Sequence, residues 1–418
     1  MISWLQDWKT KISSFNRNIR LFMLANILIQ IGMGVFSVMY NLYIKELGFP
    51  ETVNGKVISM TSLATAIMLI PAGFLSDRFG RKWIIVIGTI ITALTLFYRS
   101  VFVGEQSLIY AAFFTGLFMA LVQVSGVPFL AENSRSSERM HLFSIHFSLV
   151  TIAGVVGSLG GGIFVDALHV YTGMSILDSL KWVLVFGAII FALGIFPLLK
   201  LKSAEKVEEQ EKATDTHKKE LPSSFKRNIK IIILFGVANL LIGTGSGLVI
   251  PYLNLYFSNR FDASNAFIGL ILSLGSAMTA VAMLVGPALV KKVGKVRALV
   301  IFQLLSIPFL FITGFTTSLA IASTGFLLRQ ALMNAGNPIQ SAIAMDVVHD
   351  KYKGLANSVN QMVFNLGWAA MGPVSAGLVM MYGSYWGYAI TFSITGTLYI
   401  IASTYFYILF GRKKMGTV

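Results

Sequence analysis

Residues 61–100 read TSLATAIMLIPAGFLSDRFGRKWIIVIGTIITALTLFYRS. Two apolar runs, parts of the segments 55–76 and 83–103, lie on either side of a short loop that holds four charged residues. An α-helix rises about 1.5 Å per residue, so ~20 apolar residues are needed to cross the hydrocarbon core of a bilayer. The stretch therefore predicts two membrane-spanning helices joined by a charged loop at one membrane surface.

The composition extends this prediction to the whole chain. Of the 418 residues, 55% are hydrophobic and 12% are charged, and the mean hydropathy is +0.73. A soluble domain carries about 25% charged residues, and it cannot bury so much apolar side chain. We therefore predict an all-α membrane protein with twelve transmembrane helices, at 21–44, 55–76, 83–103, 107–131, 141–167, 180–200, 229–257, 266–290, 297–317, 319–346, 353–381 and 385–410.

Several classes of function are excluded by what the sequence lacks. The chain has no cysteine, and its five histidines do not have the spacing of a metal site. It contains no G-x-x-x-x-G-K-[ST] loop for a nucleotide phosphate and no acid–base pair in the middle of a span. We therefore expect no enzyme activity, no metal and no cofactor. The basic segment 1–20 is followed by no small-residue cleavage site, so we expect no cleavable signal peptide.

The net charge of +15 is distributed unevenly between the two sides of the membrane. Of the 33 Lys and Arg residues, 27 fall in the termini and in the loops on one side of the predicted spans. Five fall on the other side, and Arg329 lies inside a span. Because basic residues are enriched in cytoplasmic loops, we expect both termini in the cytoplasm. Such a basic rim faces anionic lipid, and we expect no nucleic-acid partner.

An internal repeat divides the chain. FNRNIR at 15–20 recurs as FKRNIK at 225–230, and YNLYI at 40–44 recurs as LNLYF at 253–257. An even number of spans in each half gives both halves the same orientation, so a pseudo-twofold axis along the membrane normal relates them. Glycines of the fifth and eleventh spans also match, namely Gly157 with Gly367 and Gly162 with Gly372. The predicted parts are a six-helix half at 1–199, a cytoplasmic linker at 200–228 and a six-helix half at 229–418.

The charged loop in the opening stretch identifies a family. It reads Gly73-Phe-Leu-Ser-Asp77-Arg78-Phe-Gly80-Arg81-Lys82, or G-x-x-x-D-R-x-G-R-K. With twelve spans and a six-plus-six repeat, the chain resembles the major facilitator superfamily (MFS) over essentially its whole length. It looks most like the bacterial permeases described as efflux or sugar-efflux transporters. The resemblance implies transport by alternating access of two rigid halves around a central site.

The resemblance gives this loop a gating role, and we call Gly73, Asp77, Arg78, Gly80, Arg81 and Lys82 the gating motif. A carboxylate at Asp77 can face the positive N-terminus of another helix, which in the family is the eleventh. The functional interpretation is a latch that stabilises the outward-facing state, and the alternative is a simple basic turn that needs Gly80 for its backbone conformation. The second half has Lys291 where the aspartate should be, so the halves differ in gating.

Two ionisable residues inside spans are candidates for function, because burying such groups in lipid is costly. Arg329 lies ten residues into the tenth span, ~15 Å deep and therefore near the midplane. It is either a donor to an anionic substrate or a structural arginine bonded to neighbouring helices. His146 of the fifth span is either a proton carrier or a packing residue.

Polar residues also follow single faces of the first, seventh and tenth spans. Buried amides often join helices within a membrane, but these stripes fall on helices expected to line a central cavity. Methionine and phenylalanine beside them suit adaptable binding. The predicted cavity residues are Asn26, Gln30, Asn41, Gln123, Asn239, Ser246, Arg329, Gln330, Met333, Asn334, Asn337 and Gln340.

These features predict a monomeric secondary transporter in the bacterial plasma membrane, in contact with lipid. Its substrate is a small organic solute, and efflux of an amphipathic compound or a sugar is the leading direction. A first alternative is uptake or exchange of an organic anion held by Arg329. A second is a receptor or scaffold that does not transport, although a static scaffold needs no gating motif.

Overall fold

The computed structural model describes residues 15–134, 139–202, 222–348 and 353–411, and this part of the chain is helical with no strand. Most of the predicted linker lies outside the described residues. We number the spanning helices α1 to α12. The first half contains α1 (Arg17–Glu46), α2 (Glu51–Phe79), α3 (Arg81–Val101), α4 (Glu105–Glu132), α5 (Arg139–Thr172) and α6 (Ile176–Leu193, extended by Ile195–Leu199).

The second half contains two interrupted helices and one merged pair. The interrupted helices are α7 (Pro222–Val249, a 3-10 turn at Ile250–Tyr252, then Leu253–Phe261) and α10 (Leu319–Ala335, then Asn337–Val347). The regular helices are α8 (Asn265–Val293) and α9 (Lys295–Phe315). A single helical run, Lys353–Phe410, turns at Gly383, which has φ +74°, and it comprises α11 (353–382) and α12 (384–410).

The described helices confirm the prediction of twelve spans. Ten helical stretches are long and apolar enough to cross a membrane. One of them, Ala356–Phe410, contains both α11 and α12 because the chain reverses at Gly383. Helix α10 is not among the ten, because its interruption at Gly336 leaves two segments that are each too short to cross a membrane alone. Pro338, which lacks a backbone N–H, lies in the first turn of the second segment.

Local sequence signals place the ends of several helices. The side chains of Asn16, Ser175 and Ser264 accept hydrogen bonds from backbone N–H groups in the first turns of α1, α6 and α8. Between α2 and α3, and again between α8 and α9, the chain turns at a single glycine with positive φ, +87° at Gly80 and +84° at Gly294. The repeat is therefore present in the turns as well as in the spans.

Helix packing confirms the internal repeat. Gly157 of α5 lies against the backbone of Ile31 in α1, and its match Gly367 of α11 lies against the backbone of Thr244 in α7. Gly162 of α5 meets the Asn265 carbonyl of α8, while Gly372 of α11 meets the Gly55 carbonyl of α2. Both matched pairs make matched contacts because a glycine lets two backbones approach closely.

The bundle has two ends, which we name by the gating motif. The motif end carries Gly80, Gly294 and the start of α1, and the far end carries the loops at 47–50, 102–104, 173–175, 262–264 and 316–318. Every hydrogen bond between the halves whose two partners are described lies in the far half of the bundle. The far end is therefore closed.

Candidate functional site

A cavity of about 920 Å³ reaches the motif end. It lies between α1, α2, α4 and α5 of the first half and α11 of the second half. Asp77 and Arg81 contribute charged groups to its rim, and its deeper wall combines apolar side chains with carboxamides. Four residues predicted from the sequence as binding or proton-carrying groups line it: Asn26, Gln30, Gln123 and His146.

The polar groups of the cavity have free hydrogen-bonding capacity. Asn26 donates from Nδ2 to the Phe22 carbonyl in its own helix, at 3.0 Å. The side chains of Gln30 and Gln123 make no hydrogen bond to any described residue. A carboxamide can donate two hydrogen bonds and accept two, so these groups can bind either kind of partner.

Helix α11 supplies polar groups that the sequence interpretation missed. Asn357, Ser358 and Gln361 line the cavity, and their side chains are likewise not bonded to the described part of the chain. The spacing of Asn357 and Gln361 places both on one helical face. That spacing was the available signal, but polar cavity residues were expected only on the first, fourth, seventh and tenth spans.

The predicted polar residues of the second half bond mainly to one another. Gln340 of α10 donates from Nε2 to Asn239 Oδ1 of α7 at 3.1 Å. Asn334 donates to the Gln330 carbonyl at 3.0 Å and accepts from Asn337 at 3.3 Å. Ser246 donates to the Ile242 carbonyl at 2.6 Å, and buried Met333 accepts from Ser306 at 3.7 Å. These pairings join α10 to α7 and α9.

Arg329 lies inside the second half, where its side chain is 4% exposed. Its guanidinium donates to Gln330 Oε1 at 2.9 Å and to the Tyr399 hydroxyl of α12 at 2.7 Å. The Tyr399 ring lies 5.5 Å from the guanidinium carbon, within the range of a cation–π contact. Its Nε has no partner among the described residues. Arg329 thus makes one described hydrogen bond within its own helix and one to α12, and it does not line the cavity.

His146 belongs to the cavity wall. Its side chain is 7% exposed, and its ring stacks on Phe22 of α1 with centroids 5.9 Å apart. It also contacts the ring of Phe147, the next residue of the wall. The ring therefore has both a packing contact and an edge on the cavity.

The gating motif forms a compact ionic cluster. Arg81 pairs with Asp77 at 2.6 Å and, through Nε, with Glu132 at the end of α4, also at 2.6 Å. The side chain of Asp77 is 65% exposed. Gly73 lines the cavity, while Arg78 and Lys82 lie over the rings of Phe79 and Trp83, at 5.5 and 5.0 Å. Asp77 is therefore held by its own half and remains accessible at the open end.

At the far end, α1 and α7 are joined by a reciprocal pair of amides. Asn41 donates to the Pro251 carbonyl at 2.7 Å, and Asn254 donates to the Val38 carbonyl at 2.6 Å. Each amide thus reaches the carbonyl three residues before the other, and the two side chains also meet at 3.3 Å. We call this contact the amide clasp. Asn41 was predicted as a cavity residue, and its side chain lies in this clasp.

Known proteins resemble the chain in sequence and in fold. An uncharacterized MFS-type transporter of Methanocaldococcus jannaschii is 24% identical over 376 residues, which cover 88% of this chain and 92% of that protein. Solved structures at 14–16% identity share the fold. They are an inward-facing bacterial homologue of the lysosomal transporter Spinster (TM-score 0.76, 93% and 95% of the two chains), the nucleoside transporter NupG (0.73, 96% and 100%) and a D-xylose–proton symporter (0.73, 96% and 99%).

The family model of the Major Facilitator Superfamily matches residues 22–241 and again 235–416. The two matches together cover nearly the whole chain, and each corresponds to one half of the repeat. Members of this family are multi-pass membrane transporters and not enzymes. The chain belongs to the major facilitator superfamily.

Proposed function

We propose that the protein exports a small, uncharged, hydroxyl-rich organic solute, such as a sugar, by alternating access. The observation that carries this proposal is the set of unbonded polar side chains around the cavity: Gln30, Gln123, Asn357, Ser358 and Gln361. A solute hydroxyl both donates and accepts, as a carboxamide does, so the two groups satisfy each other when water is displaced.

The charges around the cavity favour an uncharged solute. Asp77 and Arg81, the charged residues in the described lining, lie at the rim and are paired with each other. A charged solute deep in the cavity would lose hydration without a fixed counter-charge, which is costly in a low-dielectric site. Two proteins of similar fold are, by their names, transporters of a pentose and of nucleosides, which are hydroxyl-rich solutes.

The orientation is part of the proposal. The excess of Lys and Arg at the motif end supports placing that end, with both termini, in the cytoplasm of a bacterial plasma membrane. The described conformation, closed at the far end, would then be inward-facing. The direction of export rests on the resemblance to efflux permeases. The transporter would act as a monomer in contact with membrane lipid.

Solute counterflow into proteoliposomes tests the proposed function. Neutral sugars and nucleosides, organic anions and amphipathic cations would be compared for the wild type and for Arg329→Met. We expect counterflow with an uncharged, hydroxyl-rich solute, and we expect Arg329→Met to retain it because Arg329 does not line the cavity and its described hydrogen bonds go to Gln330 and Tyr399. Counterflow of anions alone, lost in Arg329→Met, would support the organic-anion alternative instead.

Two further outcomes of this experiment bear on the proposal. If no class of solute shows counterflow, the receptor or scaffold alternative is favoured. The direction is read from gradient-driven transport in inside-out and right-side-out vesicles. Accumulation in inside-out vesicles is expected for an exporter, and accumulation only in right-side-out vesicles would overturn the proposed direction.

The gating motif makes its own prediction. Asp77→Asn should slow transport about tenfold and leave solute affinity near the wild-type value. The reason is that a carboxylate facing a helix N-terminus contributes ~0.5–2 kcal/mol, which the proposal assigns to the state closed at the motif end. The rate of counterflow and the binding affinity, measured on the same preparation, check the two parts of this expectation.

Glu132→Gln is the matched control for Asp77→Asn. Glu132 pairs with the same arginine at the same distance and belongs to the same half. If the effect of Asp77→Asn came only from the lost ion pair, both variants would be slowed equally. Wild-type turnover in Asp77→Asn would rule out the latch.

A further inference from the structure

Asp166 bridges the two halves at the far end. It lies near the end of α5, and its carboxylate accepts two hydrogen bonds from α8 of the other half. One comes from Asn265 Nδ2 at 3.0 Å and the other from the backbone N–H of Ala266 at 2.8 Å. Backbone N–H groups in the first turn of a helix have no partner within the helix and carry partial positive charge. The carboxylate therefore satisfies one of these N–H groups and lies at the positive end of α8, while the Ser264 hydroxyl accepts from the N–H of Phe267.

The contact exists only while the far end is closed. We call the line of contact between two such helices a seam. Along the seam of α5 and α8, a side chain at Gly269 would come within 2.7 Å of the Ser158 carbonyl, and Ser273 donates to the Val155 carbonyl at 3.2 Å. The two helices are thus in direct contact along this stretch, and their separation would carry Asp166 away from Asn265 and Ala266. Opening of the far end must break the two hydrogen bonds of Asp166.

The repeat does not duplicate this carboxylate. Asp166 follows Gly162 by four residues, and the residue four after the matching Gly372 is Ala376. Ala376 packs beside Gly55 of α2. The seam between α11 and α2 therefore closes without a carboxylate at the matching position of α11, although the two seams are equivalent by the repeat; the acid nearby, Glu51, begins α2 and accepts from Asn259 of α7. Because the matching helices pack with Ala376 at this position, a carboxylate is not needed there simply to hold two such helices together.

We propose that Asp166 is the far-end latch of the transport cycle and that it opposes Asp77. The first half then carries both acids, one near the motif end of α2 and one near the far end of α5. Asp166 is bonded to the N-terminus of α8, whereas Asp77 is paired with Arg81 in this conformation and would meet a second-half helix only when the motif end closes. Asp166 stabilises the state open at the motif end, and Asp77 stabilises the state open at the far end. This inference rests on the alternating access proposed above.

The sequence offers a direct test, because the chain has no cysteine and introduced cysteines are unique. Spin labels would be attached at Gln106 and Thr317, which are exposed on opposite halves at the far end. Distance distributions would be recorded for the wild type, Asp166→Asn, Asp77→Asn and the double variant. Asp178→Asn is the matched control, because the Asp178 carboxylate accepts a hydrogen bond from Ser175, the N-cap of α6, within its own half.

We expect Asp166→Asn to raise the ratio of far-open to far-closed molecules about tenfold, the upper range for a carboxylate at a helix N-terminus. Asp77→Asn should lower that ratio, and the double variant should lie near the wild type. Asn265→Ala removes one of the two donors from the opposite side, so it should shift the ratio in the same direction as Asp166→Asn but less.

The possible outcomes separate this inference from the proposed function. If the far-open population exists and Asp166→Asn shifts it no more than Asp178→Asn does, Asp166 is not a latch, and alternating access stands. If no variant and no added solute gives a second population in the distribution of distances between the two labels, alternating access itself is contradicted. If Asp166→Asn does not fold, the smaller shift in Asn265→Ala still decides the question, and its absence overturns the inference.

Discussion

Replacing Gly372 by leucine should abolish transport and hold the protein open at the far end. A Cβ at this position would press on the Gly55 carbonyl and on Ser59 of α2. Conversely, a Cβ at Gly55 would come within 2.7 Å of the Gly372 carbonyl. Backbone atoms on both sides cannot move aside as a flexible side chain can, so the two halves must separate instead.

The size of this effect follows from the geometry. Overpacking costs about 1–3 kcal/mol even where neighbouring groups can adjust. A cost of ~3 kcal/mol would lower the population of the far-closed state, relative to the far-open state, about a hundredfold. Counterflow rates, together with the distance between labels at Gln106 and Thr317, measure the loss and its cause. Gly377→Leu is the matched control, because it lies on the same helix and a side chain there meets open space. Normal transport in Gly372→Leu would contradict the assignment of this contact to the gate.

The second large effect is expected for the double variant Gln30→Leu and Gln361→Leu. The two carboxamides line the cavity from opposite halves of the protein. Their loss leaves solute hydroxyls unpaired in the bound state, and each unsatisfied group costs about 1–3 kcal/mol. The apparent KM for the transported solute should rise about a hundredfold, while the folded protein keeps its stability because neither amide bonds to a described residue.

Gln340→Leu gives the reverse pattern and serves as the control. Its amide bonds to Asn239 across α7 and α10, so its removal should lower the melting temperature and leave the KM nearly unchanged. Measurement of thermal unfolding and of transport kinetics for both variants distinguishes binding amides from structural ones. If Gln340→Leu raises the KM as strongly as the double variant does, the cavity extends to α7 and α10, and the proposed binding set is incomplete.

The spans and the repeat could be predicted because lipid imposes strong constraints on sequence. A helix that crosses a membrane must be long and apolar, and close helix contacts require small residues such as Gly157 and Gly367. These features depend on a single helix or on a repeated pattern.

The partners of the polar residues could not be predicted in this way. Gln330 and Gln361 are the same kind of residue on the same kind of helix, yet one accepts from Arg329 and the other faces the cavity. A polar stripe indicates only that a face avoids lipid. Whether that face meets another helix or water depends on how helices from distant parts of the chain are arranged, which is also why the contribution of α11 was missed.

The amide clasp has a consequence for how the far end opens. Because Asn41 and Asn254 bond reciprocally, rupture of one bond leaves the other in place and keeps the broken partners at a high effective concentration. The first bond then re-forms before the helices can drift apart. A slip of either helix by one residue, about 1.5 Å, would break both bonds together. The far end should therefore open as a single concerted event, with no long-lived half-open state.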